Sequence, residues 1–563
     1  MHMRTIGPTL GIVLAGALTL STAGALAQAA AERRLDAALD RLRAALGPTA
    51  ELTIDRREID PVTGRARLTG VSLIEGPRLI RIEQVTLMDL TDIRIGRAEL
   101  RGVVAQEGSQ PRIEAGRLLF AGLPLPAPGQ PFEPEGLRFG QVEADNLTFT
   151  TPGEGVFSVG RLALEGYAPG VLRGGRAEGL RFVGDGADGM RMALGRVSIT
   201  AMALPDFSGA PDPMAFGVQH LALDGLAMAM PAEATEISLG RLVLRDALPG
   251  GLLDLALDDA RVVAPLGSMG AAETRLKRLE VAGVDAFGIV QAVLLGADPP
   301  ETLPNTPQRI FAESLTVQLG GRHLAAIGRF ATTGTLDEAG LATGGVALEG
   351  LSVALPAGTV PALEAMGYPD ILGSLAADAS LRVEGGVLTI ESFAIGWEDA
   401  AALTLAAQMT DMPSTAAGMP KDPSDQLAQV LAGRLAGLTL TLEDRGLLTR
   451  AAAWQAEAQR LAPAALREQW AEMAMAIPLP GEAPARPNPG QRPGQRPAPQ
   501  AAPQATDPFP PMRQAIAAFI REGGALTIAL RPPQPLVFGE MAGLPGLPPA
   551  QTVQRLGLSI TRP

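Results

Sequence analysis

Cysteine is absent from the chain, which excludes disulfides, thiolate metal sites and cysteine nucleophiles. Histidine occurs three times, at His2, His220 and His323, so a multi-histidine metal centre has no ligand set. Aromatics make up only 4% of the residues, and lysine stands only at Lys277 and Lys421, which leaves arginine as nearly the whole basic complement. The net charge of −13 gives no general electrostatic attraction to nucleic acid. A phosphate-cradling glycine loop with lysine is missing, as is a helical histidine pair, and Gly267-Ser268-Met269-Gly270 lacks the spacing of a serine elbow. No catalytic residue, metal site or cofactor is expected, and the chain is read as a non-enzyme.

What is present is apolar: 46% of 563 residues, a length that calls for two or more packing units. The amino end reads as a secretory signal over residues 1–27. Arg4 is its only charge, an apolar stretch runs from Ile6 to Leu20, and Ala25-Leu26-Ala27 places small residues at both cleavage-determining positions. The alternative is an uncleaved anchor, since residues 6–27 are uncharged and long enough to span a bilayer. No other uncharged apolar segment approaches that length, and the aromatic girdles of an outer-membrane barrel are missing. The expected location is the periplasm, with no membrane span after signal removal and an inner-membrane tether if the signal stays.

Residues 28–47 form an amphipathic helix, with Leu35, Leu39, Leu42 and Leu46 on one face and Gly47-Pro48 as its stop. It either caps the open end of a sheet or lies on a membrane or partner. Residues 48–300 are a repeat β-sheet region. Nine copies place apolar residues at offsets 0, 2, 5, 7 and 10, starting at Ile80, Ile93, Ile113, Leu137, Phe157, Met192, Phe216, Ile237 and Thr274. Offset 3 is glycine in six copies (Gly96, Gly116, Gly140, Gly160, Gly195, Gly240), and offset 4 is arginine in six (Arg97, Arg117, Arg161, Arg196, Arg241, Arg278).

A step of three would throw the later apolar residues onto the other face of a regular strand. One extra residue at a bulge restores the phase, and glycine takes that conformation most easily. Each copy therefore reads as a bent strand with a glycine-centred bulge, or as a strand crossing a corner between layers. With a return strand per copy, such as Arg176–Val183, roughly eighteen strands result. The expected fold class is mainly β: a long curved antiparallel sheet of repeated bulged strands, groove- or taco-like, with a helical carboxyl-terminal region.

An apolar helix and a Pro-rich loop interrupt the sheet between Ala286 and Pro307. Looser copies starting at Ile310, Leu341 and Leu388 mark a second β region, residues 301–412. Residues 413–477 read as helical with one strand, Leu438–Leu442. Asp444 caps the following helix, and Trp454 and Trp470 serve as core anchors. Residues 478–511 form a Pro/Gly/Gln-rich linker, and 512–563 a terminal helix, Met512–Glu522, with strands at Ala525–Leu530 and Val553–Ile560.

Asp254, Asp258 and Asp259 invite a metal reading, but the first two flank alternating leucines and fit the solvent face of a strand. The arginine series has two readings: a solvated stripe paired with neighbouring acids, or a basic ladder along the mouth of an apolar groove, set for lipid phosphates or acidic glycans. Leu162, Leu164, Val197, Ile199, Leu242 and Leu244 are the candidate groove residues.

The piece Phe157-Ser158-Val159-Gly160-Arg161-Leu162-Ala163-Leu164-Glu165-Gly166 resembles the strands of AsmA-like envelope proteins and their YdgA-type periplasmic relatives. Gly385-Gly386-Val387-Leu388-Thr389-Ile390-Glu391-Ser392-Phe393 is similar to the strands that close AsmA-type domains. The resemblance spans roughly residues 50–410 and implies a curved sheet folded into an open groove, with phospholipid transfer or outer-membrane assembly as its work. It supplies no catalytic residues. Phospholipid or envelope proteins are the expected partners, and the rival is a structural or adhesive β-repeat scaffold that binds a protein. The signal reading is checked by intact mass: protein from the envelope fraction should begin at Gln28, whereas retention of residues 1–27 would make it a tethered protein.

Overall fold

The computed structural model describes residues 24–46, 49–60, 63, 65–91, 93–108, 112–125, 138–186, 189–204, 217–285, 288–289, 303–412, 423–476, 509–541, 543–544 and 547–563. Residues 1–23 of the expected signal, motif positions Leu137 and Phe216, most of the Ala286–Pro307 interruption and the linker up to residue 508 lie outside them. The chain forms two units, one of residues 1–300 with 319–321 and one of 301–318 with 322–563.

In the first unit, helix α1 (Gly24–Leu46) precedes thirteen strands. These are β1 (Ala50–Ile59), β2 (Ala66–Glu75), β3 (Arg78–Leu90), β4 (Arg94–Glu107), β5 (Arg112–Pro124), β6 (Phe139–Thr151) and β7 (Gly155–Ala168). They continue as β8 (Val171–Gly184), β9 (Arg191–Ala203), β10 (Gly217–Met230), β11 (Thr235–Ala247), β12 (Leu253–Pro265) and β13 (Ala271–Val284). Each pairs antiparallel with the next in chain order. The mainly β, antiparallel class is the one expected, but the strand count is not. The copies in β3 to β7 are consecutive neighbours, each the return strand of the one before, so among the described residues the nine copies occupy the eleven strands β3 to β13 in place of eighteen. The return strand expected at Arg176–Val183 lies within β8.

The apolar offsets hold in β3, where Ile80, Ile82, Val85, Leu87 and Leu90 are all buried, but Ile93, the first offset of the next copy, lies in the bend before β4 and is 75% exposed. The glycine-centred bulge is present where β13 passes Gly283 and in the later copy at Gly350, but needs correction elsewhere in the first unit. Between β3 and β4, Ile82 faces Val103 and Gln84 faces Arg101, then Met88 faces Arg97 and Leu90 faces Ile95, a register unchanged across both breaks. Paired strands leave the alternation together. The residue that turns the chain stands at offset 9, where Asp89, Gly102, Gly122, Asn146, Gly166, Ala201, Gly225, Asp246 and Gly283 all have φ between 49° and 75°. The offset-3 glycines have ordinary φ and lie opposite such left-handed residues. A Cβ on Gly96 would sit 2.5 Å from the Asp89 Cβ, and one on Gly195 3.0 Å from the Asp224 carbonyl oxygen. Glycine is required there by close approach, not by its own torsion.

Leu35 and Leu39 of α1 join one buried cluster with the apolar face of β2 to β7. Of the two readings of this helix, capping the sheet is the one realised. The helix begins at Gly24, and Leu35, Leu39 and Leu42, which carry the packing, all lie after Gln28.

In the second unit, β14 (Gln308–Leu319) is followed by β15 (Arg322–Leu336), β16 (Leu341–Ala354), α2 (Pro361–Ala365), β17 (Asp370–Arg382), β18 (Val387–Trp397) and β19 (Ala401–Thr410). Then come α3 (Pro423–Ala432), β20 (Arg434–Asp444), α4 (Leu447–Gln459), α5 (Pro463–Ala476), α6 (Phe509–Glu522) and β21 (Gly524–Leu530). The chain ends with β22 (Leu536–Val537), α7 (Phe538–Met541), α8 (Pro549–Leu556) and β23 (Leu558–Thr561). Strands β15 to β21 pair in chain order, β23 adds to β21, and β22 lies beside the start of β20. The copy at Leu341 keeps the left-handed offset 9, Gly350 with φ 62°.

Asp444 does cap α4: its Oδ1 accepts from the N–H of Leu448 at 2.9 Å and of Gly446 at 3.3 Å. The tryptophan expectation fails. Trp454 is 42% exposed and Trp470 only half-buried, because these helices pack through Ala452, Ala456, Leu466 and Ala471. The strand expected at Val553–Ile560 is instead α8 followed by the short β23. Pro549 starts that helix and left-handed Gly557 ends it. The helix expected from Met512 starts at Phe509, with Pro510 and Pro511 in its first turn.

The left-handed line yields a paired prediction. Gly122→Ala has space, its Cβ meeting nothing nearer than 3.5 Å, yet it should cost about 1–2 kcal/mol through φ alone. Ala201→Gly should gain about 0.5–1 kcal/mol, the relief of that strain less the entropy of glycine. Urea unfolding midpoints of the two variants and the parent check the signs.

Candidate functional site

The apolar offsets of successive strands stack into rows. One runs Leu162, Ala177, Val197, Leu223, Leu242, Leu257, Leu279 from β7 to β13. The adjacent one runs Leu164, Gly175, Ile199, Leu221, Leu244, Leu255, Val281. All six candidate groove residues therefore fall on two neighbouring rows of one face. Neither row contains a titratable side chain.

Cover over this face changes along the sheet. In β3 to β5 the apolar offsets are buried; Val85, Ile95 and Leu100 are 0% exposed. In β9 to β13 nearly all are half-buried, and Val262 reaches 39% exposure. Leu162, Leu164 and Val197 border the closed cluster, whereas Ile199, Leu242 and Leu244 lie beyond it. Pairing also sets Phe182, Met192, Met228 and Ile237 in a further row. These four help to line a hollow of about 380 Å³ with Arg181, Arg191, Glu236 and Arg261. This row escaped the choice of groove residues because Phe182 and Met228 stand outside the repeat offsets and meet Met192 and Ile237 only through strand pairing. In the second unit a hollow of about 450 Å³ is lined by small residues, among them Thr332, Thr343, Gly344, Ala377 and Ser380.

The arginines line up too, but with acids between them. Across β5 to β13 the facing residues are Arg117, Asp145, Arg161, Glu178, Arg196, Asp224, Arg241, Asp258 and Arg278. Ion-pair distances along this line include 3.0 Å for Arg117–Asp145, 3.6 Å for Arg196–Glu178 and 3.5 Å for Arg241–Asp224. Arg97 belongs to the other break line, between Met88 and Ala121. Arg117 also meets Glu99 and Glu143 at 3.3 Å each. Those acids alternate with buried Ala98, Leu100 and Ala144, so the charges occupy the face opposite the apolar rows. The geometry is that of the paired, solvated stripe.

Arg117 is the most sheltered point of this line. Burial pushes the Glu99 carboxyl up, but hydrogen bonds and charge from Arg101 and Arg117 outweigh it and hold the group below its ordinary value. Burial likewise disfavours the charged Arg117 guanidinium, and the bonds to Asp145 and Glu99 more than offset it. Elsewhere, Asp254 pairs with Arg245 at 2.9 Å, Asp259 is one of the left-handed residues, and His323 Nε2 lies 3.0 Å from Ser352 Oγ. His220 faces Thr200 and Arg245. Among the described residues no group of three His, Cys, Asp or Glu side chains is placed to hold a metal, and no helix is long and apolar enough to cross a membrane.

A family model described only as an uncharacterized protein matches residues 394–563, from within β18 to just past β23. No curated protein matches the chain.

The charge line can be tested by truncation. Arg117→Ala takes a cation from sheltered Glu143 and leaves sheltered Glu99 with Arg101 alone, and should cost about 1–3 kcal/mol, while half-exposed Arg196→Ala should cost less than about 1 kcal/mol. Because the folded value of Glu99 is depressed, its contribution is present above the ordinary carboxylate range and lost as pH falls through the folded value. The gap between Arg117→Ala and the parent should therefore narrow in acid, as read from denaturation midpoints at pH 7 and below 4.

Proposed function

We propose that the chain is an exported, non-enzymatic envelope protein of the periplasm that holds lipid acyl chains on the apolar face of β9 to β13. Such a protein would carry or organise phospholipid between membranes, or support outer-membrane assembly. The observation that carries this reading is the change of cover along one face: the same offsets that are buried in β3 to β5 stand half-exposed in β9 to β13. Extended apolar surface of that kind ordinarily marks a binding site. Two rows free of titratable side chains suit hydrocarbon, and the reading accords with the resemblance of the strands to AsmA-like proteins.

The second reading is a scaffold that binds an envelope protein. It is favoured by β2 to β7, whose face is filled by its own side chains and by α1 and has no room for a ligand.

Mass spectrometry of lipid extracted from purified protein separates the two. Leu242→Asp with Leu257→Asp should remove bound lipid and leave the circular dichroism spectrum of the sheet unchanged. Leu100→Asp, in the closed part, should unfold the first unit. Absence of lipid from the parent, or unfolding by the Leu242/Leu257 pair, would sink the lipid reading and leave the scaffold.

A further inference from the structure

The phase breaks and the charge line are one device. On β5, β7, β9 and β11 the break is a glycine followed by arginine: Gly116-Arg117, Gly160-Arg161, Gly195-Arg196 and Gly240-Arg241. On β6, β8, β10 and β12 it is an acid followed by a left-handed residue: Asp145-Asn146, Glu178-Gly179, Asp224-Gly225 and Asp258-Asp259, with φ of 54°, 66°, 70° and 55° at the second position. Arg161, Arg196 and Arg241 each face an acid on both sides, whereas Arg117, where the line begins, faces Asp145 on one side and Arg101 on the other. The left-handed residue brings its neighbour's carbonyl against the opposing glycine: a Cβ on Gly160 would lie 3.2 Å from the Glu178 oxygen, and one on Gly240 3.2 Å from the Asp258 oxygen.

From this we infer that the two dipeptides form a strand-pairing code, and that the sheet's interchangeable unit is an adjacent pair of strands. A strand slipped by one residue turns its apolar set to the wrong face. A slip of two keeps the face but puts the phase breaks of the two strands out of step and removes arginine from its acid. Adding or losing a single strand sets like against like on this line, arginine against arginine or acid against acid. Only a pair can be gained or lost with every line intact. The code is independent of what the apolar face binds, and it makes the length of that face adjustable in steps of two strands.

Excision tests it in the full chain. Deleting Asp185–Met230 removes β9 and β10, keeps the Pro231–Ala234 turn, and brings Glu178 to Arg241, Gly179 to Gly240 and Phe182 to Ile237. Deleting Pro152–Gly184 removes β7 and β8 and brings Asp145 to Arg196 and Asn146 to Gly195. Deleting Val183–Met230 keeps the same turn and the same face as the first excision, but shifts the lines by two, setting Arg176 against Arg241 and Gly179 against Ser238. The in-register excisions should give soluble protein with a β-type circular dichroism spectrum and a cooperative urea transition near that of the parent. The shifted excision should lose that transition or aggregate. Failure of both in-register excisions to fold, or equal folding by the shifted one, overturns the code.

Discussion

Where a left-handed residue meets its opposite number inside these strands, one of the two is usually glycine, and the first unit is organised around that close approach. Each repeat carries such a residue at offset 9, and where it turns, the neighbouring strand must leave room and leave the alternation as well. The consequence is a register that continues unchanged across the breaks from β1 to β12, as in the pairing of β3 with β4, and shifts by one residue where Gly283 of β13 stands beside Leu253 and Asp254. A bulge on one strand alone would have displaced the register by one residue and turned every later apolar side chain away from its row. Because the break is shared, rows of apolar residues stay aligned from β7 to β13 with little interruption.

Alignment has different results at the two ends of the unit. Around β2 to β7 the rows meet α1 and each other, and the cluster is closed. Around β9 to β13 the rows have the same composition and the same pairing but lack that cover. Stability there rests more on ladder hydrogen bonds and cross-strand pairs, each worth about 0.2–1 kcal/mol, than on burial. The sheet can carry such a stretch because it is continuous with strands that do bury a core.

The apolar offsets, the glycines and the arginines were legible in the sequence because each recurs at a fixed position with little change of residue type. The left-handed position was not. It is filled by Gly, Asp, Asn and Ala in turn, four residues that share a conformation rather than a chemistry. The acids of the charge line were hidden for a related reason: Glu178 and Asp258 lie on β8 and β12, strands outside the repeat pattern. Only the pairing brings them opposite arginine. Leu162 and Leu242 looked equivalent in sequence, and the difference between them is tertiary cover. Trp454 was read as an anchor from its bulk, whereas α4 and α5 bury alanines, whose small size permits close helix contact. The terminal helix α8 was missed although Pro549 and Gly557 frame it, because Val553, Leu556 and Leu558 also suit a strand.

The two faces of the sheet divide their physical work. On one, arginine and acid alternate, so the field of each cation is largely cancelled by its neighbours, and in a chain of net charge −13 no reservoir of unpaired positive charge stands along that line. Long-range electrostatic steering toward an anionic surface therefore has no source there. On the other face the two leucine-rich rows carry no titratable group at all, so contact with them is short-ranged and scales with apolar area removed from water. A face of that kind discriminates by shape and by apolar content. Selection of an anionic headgroup would have to come from residues outside the two rows, such as the arginines near the hollow at Phe182, Met192 and Met228. The repeat thus supplies a uniform apolar floor, and departures from uniformity at its margins are where specificity has room to arise.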